Sequence, residues 1–309
     1  MLQVKKPTIA LFLLPTFLFI ALINIFPIAY TVYISLTNEN TFNEFLQNYH
    51  FVGLKNFQSI LSEANTALIP VVLLTLLYVA ICIGSFLIIG MLTAMILNDK
   101  RIRGLKIWRA LIILPWAMPS FVTALIWKFL FDYNFGPFNN ILRYFTQNVN
   151  AGVNWLGSPI PAFIAVVVVN LWLSYPFFTI VILGALQSIP EELNDAAKVD
   201  GASTWQRFRE VTLPLLVPAI TPITVMSGIT TFQMFNTVWL ITAGGPFTDI
   251  TKPGATDFVM LYFYNYFTTG AFTNYGKAAA TAIIVFILLL IAILAGFRLT
   301  GFNREETAK

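Results

Sequence analysis

An all-α membrane fold with six crossings is predicted by three features of this sequence. Only 10% of its 309 residues are charged and 58% are hydrophobic, whereas soluble domains carry about 25% charged residues. Six segments are apolar over the about 20 residues needed to cross a bilayer. Lysines and arginines gather in alternate connections, the asymmetry that orients membrane helices.

The expected spans are Thr8–Leu36, Leu68–Leu97, Ile107–Phe131, Ala162–Ile189, Val211–Thr242 and Ala278–Phe297. Together they make residues 1–309 a single transmembrane domain. The first lies behind Lys5 and Lys6. It is too long for a signal h-region and has no clear small-residue cleavage site, so it reads as a retained span. Pro115 and Pro119 interrupt the third span, Pro176 the fourth and Pro222 the fifth. Each removes a backbone donor, and in a bilayer the freed carbonyl needs a neighbour or a wet cavity. Such bends either serve packing or line a cavity.

Charge places the ends. Thirteen basic residues fall on one side: Lys5, Lys6, Lys100, Arg101, Arg103, Lys106, Arg109, Lys198, Arg207, Arg209, Arg298, Arg304 and Lys309. Lys55, Arg143 and Lys252 fall on the other, and Lys128 and Lys277 sit at span edges, where their stems can snorkel. Both termini are therefore expected in the cytoplasm of a multi-pass cell-membrane protein. The net charge of +4 follows from topology and needs no nucleic acid.

Several function classes lose support. No span holds a deep carboxylate, which ion-coupled carriers usually keep, and none carries spaced arginines as a voltage sensor does. Cys82 is the only cysteine, so no intrachain disulfide or cysteine metal site is available; it reads as a small packed hydrophobe. His50, the only histidine, lies in a polar loop. No nucleophile–histidine–acid set or metal-ligand spacing is visible, so the chain does not read as an enzyme. The string GAFTNYGKAA, residues 270–279, approximates a phosphate loop. However, five residues separate Gly270 from Gly276, Ala278 follows Lys277, and no strand precedes it. Any ATP in this system is bound by another chain.

The fourth and fifth spans carry polar stripes. At 100° per residue, Asn170, Leu173, Ser174 and Phe177 share one helical face, and Ser227, Thr230, Thr231 and Met234 another. Neutral donors and acceptors beside aromatic rings suit an uncharged polyhydroxylated ligand. A phosphorylated or carboxylated ligand would call for arginine. Interhelical hydrogen bonding explains such residues equally well.

Charge concentrates between the fourth and fifth spans, in EELNDAAKVDGASTWQRFREVTLPLL, Glu191 to Leu216. Pro190 ends the fourth span, and Glu191 and Glu192 suit the first turn of a new helix. A helix over Glu191–Val199 follows, then a turn at Gly201. Ser203 is expected to cap a second helix over Thr204–Glu210. Residues 190–210 thus form a helix–turn–helix too polar to span, which is either a solvated loop or a docking element.

Its spacing resembles a family signature. Asp195-Ala196-Ala197, three residues, Gly201, nine residues, then Val211-Thr212-Leu213-Pro214 is similar to the Glu-Ala-Ala–Gly–Ile-x-Leu-Pro signature of ABC importer membrane subunits. Asp replaces Glu at 195 and Val replaces Ile at 211. FVGLKNFQSIL at 51–61 and ITAGGP at 241–246 resemble the carbohydrate permeases, while NLWLSYPFFTIVILGALQSIPEELNDAAKVDGA at 170–202 and GGPFTDITKPGATDF at 244–258 are similar to the maltose/maltodextrin type. The resemblance runs from about residue 10 to 300. This chain has no room for the extra N-terminal spans and large outer domain of the enteric form.

The resemblance implies a type I importer fold. It also implies a second related permease subunit, two ATPase subunits that hold ATP and magnesium, and an extracytoplasmic sugar-binding protein. Glu191, Glu192, Asp195, Ala196, Ala197, Asp200 and Gly201 would form the coupling helix that docks on an ATPase. The sugar site would fall on Asn170, Leu173, Ser174, Phe177, Ser227, Thr230, Thr231 and Met234. Phe177, Thr230, Thr231 and Met234 depart from the enteric identities, so either a different sugar preference or a weaker site is expected. A glycerol-phosphate permease of the same architecture and an ATP-independent carrier are the alternatives.

Overall fold

All six apolar segments become helices, but two of them are broken. The computed structural model describes residues 6–40, 50–62, 68–249, 252–268 and 274–299. Lys5, Arg304 and Lys309 of the charge count and Gly270 of the GAFTNYGKAA string lie outside the described residues. The described residues form helices and one isolated bridge, Thr37 to Phe51. Among the described residues five helices are long and apolar enough to cross a membrane, and a bent pair makes a sixth where it is counted as one span. The chain divides into two units, 1–65 with 263–290 and 66–262 with 291–309.

The larger unit is built on the second span, Leu68–Asn98, and the fourth, Pro159–Ser188. Both are apolar around most of their circumference, as membrane helices are, so contact rather than amphipathicity selects the buried face. On the second span that face runs Val71, Thr75, Tyr78, Cys82, Phe86, Gly90, Ala94 and Leu97, steps of three or four residues that stay on one side of a helix. It meets Ala165, Val166, Val169 and Phe178 of the fourth span. Gly90 is required by the approach: a Cβ there would stand 2.7 Å from the Phe178 Cβ and 3.3 Å from its carbonyl carbon. Tyr78 stacks on Phe258 at 4.2 Å, with Phe163 edge-on to both. Gly90→Ala is expected to cost about 1–3 kcal/mol through overpacking. A lower thermal midpoint of the detergent-solubilised protein checks this.

The third span is not one helix. Leu105–Ala117 and Ser120–Leu130 meet at 92°. Met118 is extended, with φ −77° and ψ 139°, as the residue before a proline must tend to be, and Pro119 has no N–H to continue the ladder. Pro176 and Pro222, by contrast, lie inside uninterrupted helices.

The fifth span corrects a second expectation. In place of one helix over Val211–Thr242, a rod runs from Thr204 through a π turn at Phe208–Thr212 to Phe232. At its end the ladder tightens, with Met234 N donating to Thr231 O at 3.2 Å. A separate helix, Asn236–Thr242, then packs against Ser120–Leu130. The short arms of two broken spans thus cover each other's apolar sides, which periodicity along one helix cannot reveal. The ITAGGP string closes this region. Ala243 and Gly244 turn with positive φ, and Thr256 N donates to Gly244 O at 3.1 Å.

In the smaller unit the first span comprises Lys6–Ile20, a π turn at Ala21–Ile25, and Phe26–Ser35. Asn56, from the FVGLKNF string, is buried and donates to Ser35 O at 2.8 Å and Thr37 O at 2.7 Å. Gly276 packs on the same turn, where a Cβ would come 2.3 Å from Thr37 O. The glycine of the phosphate-loop-like string therefore has a packing role here.

Candidate functional site: a neutral cavity and a charged helical knob

A cavity of about 310 Å³ opens between the second, third, fourth and fifth spans. Seven of the eight stripe residues line it: Asn170, Ser174, Phe177, Ser227, Thr230, Thr231 and Met234. Leu173 does not; it packs against the core, because it sits about 100° around the helix from Ser174, on the flank of the stripe. Met234 arrives through the turn after Phe232 rather than along the helix.

Five further lining residues escape a reading of the two stripes: Phe86, Trp116, Phe178, Ile223 and Met226. Trp116 stands next to Pro115 at the break of the third span, and its ring stacks on Phe177 at 5.8 Å and 20°. The prolines around it were the available signal, since a break presents a side chain that a straight helix would turn elsewhere.

No charged side chain among the described residues lines this cavity. Asn170 is fully buried at its floor, accepting from Ser174 Oγ at 3.3 Å and donating to Cys82 Sγ at 3.5 Å. Thr230 Oγ1 donates back to Ser227 O at 3.1 Å, which leaves its lone pairs available. The arrangement is a ring stack facing hydroxyls and an amide, able to take hydrogen bonds on one side and C–H contacts on the other.

The second feature is the polar segment after the fourth span. Ile189 and Pro190 are extended, and the helix Glu191–Val199 follows, bounded as its sequence predicts. Its end is a Schellman motif. Ala202 N donates to Ala197 O at 2.9 Å, and Gly201 N to Lys198 O at 3.1 Å. Gly201 holds φ +79°, the left-handed position that motif gives to glycine. The spacing from the alanine pair to the glycine is thus a capping requirement. Ser203 and Gln206 then form a reciprocal capping box that starts the rod into the fifth span. Glu191, Glu192, Asp195, Ala196, Asp200 and Gly201 are exposed and Ala197 is half-buried. Val199 is 88% exposed, an apolar residue displayed on a polar knob.

Two ion pairs brace the knob. Lys100 Nζ donates to Glu191 Oε1 at 2.8 Å, and Lys198 Nζ to Asp195 Oδ1 at 2.6 Å. The Lys100 hydrogen bond, then its charge, holds the Glu191 carboxyl below its usual range, and Lys198 does the same for Asp195. A depressed carboxyl contributes stability above its unfolded value and loses it as pH falls through the folded one. The protection of the Glu191–Val199 amides against hydrogen exchange, relative to the unfolded chain at the same pH, is therefore expected to stay constant near neutrality and to fall only in acid, from the ordinary carboxylate range downward.

The family model described as binding-protein-dependent transport system inner membrane component matches residues 86–299, more than two thirds of the chain. The chain belongs to that family. This inner membrane component is 34% identical over 295 residues to the trehalose/maltose transport system permease protein MalF of Thermococcus litoralis. The match covers 96% of this chain and 94% of the relative. It is 30% identical to the maltodextrin transport system permease protein MdxF of Bacillus subtilis, over 96% of this chain and 70% of that one. Its fold is that of a bacterial ABC transporter subunit, crystallised from a system importing the acidic polysaccharide alginate. The TM-score is 0.74, with 21% identity and 94% of both chains covered. The inner membrane component is accordingly a multi-pass permease subunit of a binding-protein-dependent transport system, with the fold of an ABC importer membrane subunit.

Proposed function

We propose that this permease carries a neutral oligosaccharide of the maltose/maltodextrin class inward, powered by ATP hydrolysed on partner chains. The observation that carries the reading is the cavity: hydroxyls, an amide and a stacked Trp116–Phe177 pair, with no charged lining. A sugar presents hydroxyl edges and C–H faces, which such a lining satisfies together; a phosphorylated cargo would leave its charge buried and unpaired. The relatives that transport trehalose, maltose or maltodextrin by name support the same class. Asn170, Ser174, Phe177, Ser227, Thr230, Thr231 and Met234 bind the sugar, and Leu173 supports that face from the core.

In this proposal the Glu191–Val199 helix is the coupling element within segment 190–210. It stands in the cytoplasm with both termini and docks on one of two ATPase subunits, which hold the ATP and magnesium. Ala196, Ala197 and Val199 allow close approach, while Glu191, Glu192, Asp195, Asp200 and Gly201 fix register. A second, related permease subunit completes the path, and an extracytoplasmic binding protein delivers the sugar. Movement of the knob then rocks the spans between inward- and outward-facing states.

The test is to co-express the chain with its genomic neighbours, purify it by a tag, and reconstitute what co-purifies. ATP-dependent uptake of labelled maltotriose, with no uptake of glycerol 3-phosphate, is the expected result. Uptake of glycerol 3-phosphate instead would move the cargo to the phosphate class. Uptake without any ATPase partner would make the chain a secondary carrier.

A further inference from the structure

A second cleft, of about 760 Å³, lies within the larger unit where the second span ends, the third begins and the fourth meets the Glu191–Val199 helix. Its ionic groups do not balance. Lys100 pairs with Glu191, Lys198 with Asp195, and Arg101 reaches Asp99 at 3.9 Å. Arg109 and Arg207 line the same cleft; neither forms an ion pair within 4 Å among the described residues, although Arg207 lies near enough to Asp195 to help hold its carboxyl low. Each directs one terminal nitrogen to a neutral acceptor. Arg109 Nη2 donates to Leu97 O at 3.1 Å, and Arg207 Nη2 to Thr204 Oγ1 at 3.2 Å. The Nε of both is buried and has no partner among the described residues. Buried donors without acceptors are uncommon in native proteins, and Nε with its neighbouring Nη is the fork that grips an oxyanion.

An apolar groove of about 800 Å³ adjoins this cleft in the sequence of the elements that build it. Met91 and Met95 of the second span line it with Trp205, Phe208 and Leu213 at the start of the fifth. Met95 precedes Asn98 of the cleft by one helical turn, and Trp205 and Arg207 belong to the same turn. A cationic head site and an apolar channel therefore share two elements.

We propose that the two together hold one anionic phospholipid, its phosphate between Arg109 and Arg207 and an acyl chain along the groove. The position fits, because the cleft lies where apolar spans end, at headgroup depth. The cleft's five cations against three carboxylates favour an anionic over a zwitterionic headgroup. A free phosphate, or a carboxylate from a partner protein, would satisfy the arginines but leave the groove without an apolar occupant. The inference is independent of which cargo the central cavity takes.

The test uses the full chain in detergent, equilibrated with phosphatidylglycerol and phosphatidylcholine of identical acyl chains and analysed by native mass spectrometry. One phosphatidylglycerol is expected to be retained, with a preference of about tenfold. Arg109→Gln with Arg207→Gln should bring the two lipids near parity, while Arg101→Gln, at a side chain 93% exposed, should leave the preference intact. Met95→Glu should weaken retention with both arginines present. Where the double variant fails to elute as the folded protein, Arg207→Lys replaces it; keeping charge without the fork, it should lose part of the preference. Parity in the unmodified protein, or preference surviving in the arginine variants, overturns the proposal. Displacement by millimolar inorganic phosphate with no effect of Met95→Glu would assign the cleft to a soluble phosphate. Loss of the bound lipid when an ATPase partner associates would assign it to a protein surface. Either result also overturns the proposal.

Discussion

Gly201→Asp is expected to release the ATPase partner and lower sugar uptake about tenfold or more, with only a modest loss of stability. The separation follows from geometry. Gly201 has φ +79°, so any side chain pays about 1–2 kcal/mol of backbone strain. Nothing lies within 4 Å of the position a Cβ would take, so no packing is lost. A larger functional effect must then come from the exposed face of the knob. Gly201→Ala carries the strain without the charge, and comparing ATPase co-purification of the two variants separates a deformed turn from a blocked contact. If both variants retain the ATPase and full uptake, the coupling role of this segment is wrong.

Ser227→Trp is expected to reduce uptake to background while leaving the ATPase attached. Ser227 lines the cavity of about 310 Å³ from the fifth span, and an indole there competes for the space that a sugar ring needs. The substitution removes no buried interaction of consequence, since Ser227 is half-buried and its carbonyl accepts from Thr230. Val217→Trp, at an exposed position of the same helix outside the cavity, should transport normally. Sugar-stimulated ATP hydrolysis in proteoliposomes reads both variants. Normal stimulation by the Ser227 variant would remove the cavity from the path.

Much of this architecture is legible in the residues because its causes are local. Apolar length sets the spans. Pro190, the alanine pair, Gly201 and Ser203 set the Glu191–Val199 helix almost to the residue, since caps and breakers act within a turn. The polar stripes identify seven lining residues because helical phase is local too. What periodicity misses is tertiary. The fifth span breaks after Phe232 because Asn236–Thr242 packs on a helix more than a hundred residues earlier. Leu173 leaves the cavity, and Trp116 enters it, for similar reasons: core packing claims the first, and the 92° bend redirects the second. Proline content marks where a bend is allowed, but Pro176 and Pro222 sit in unbroken helices, so a proline alone does not say that the chain turns.

The π turn at Phe208–Thr212 joins the capped turn at Ser203 to the fifth span without a hinge. From Thr204 to Thr230 the chain is one rod of about 40 Å at 1.5 Å per residue. Trp205 stands at one end, and the threonines of the cavity at the other. Such a rod is a seesaw: tilted about its middle, its two ends travel in opposite directions by comparable amounts. A stroke of a few ångströms at the knob would therefore need no relay of side chains to reach the cargo. It would arrive at the cavity with its direction reversed and its size nearly undiminished.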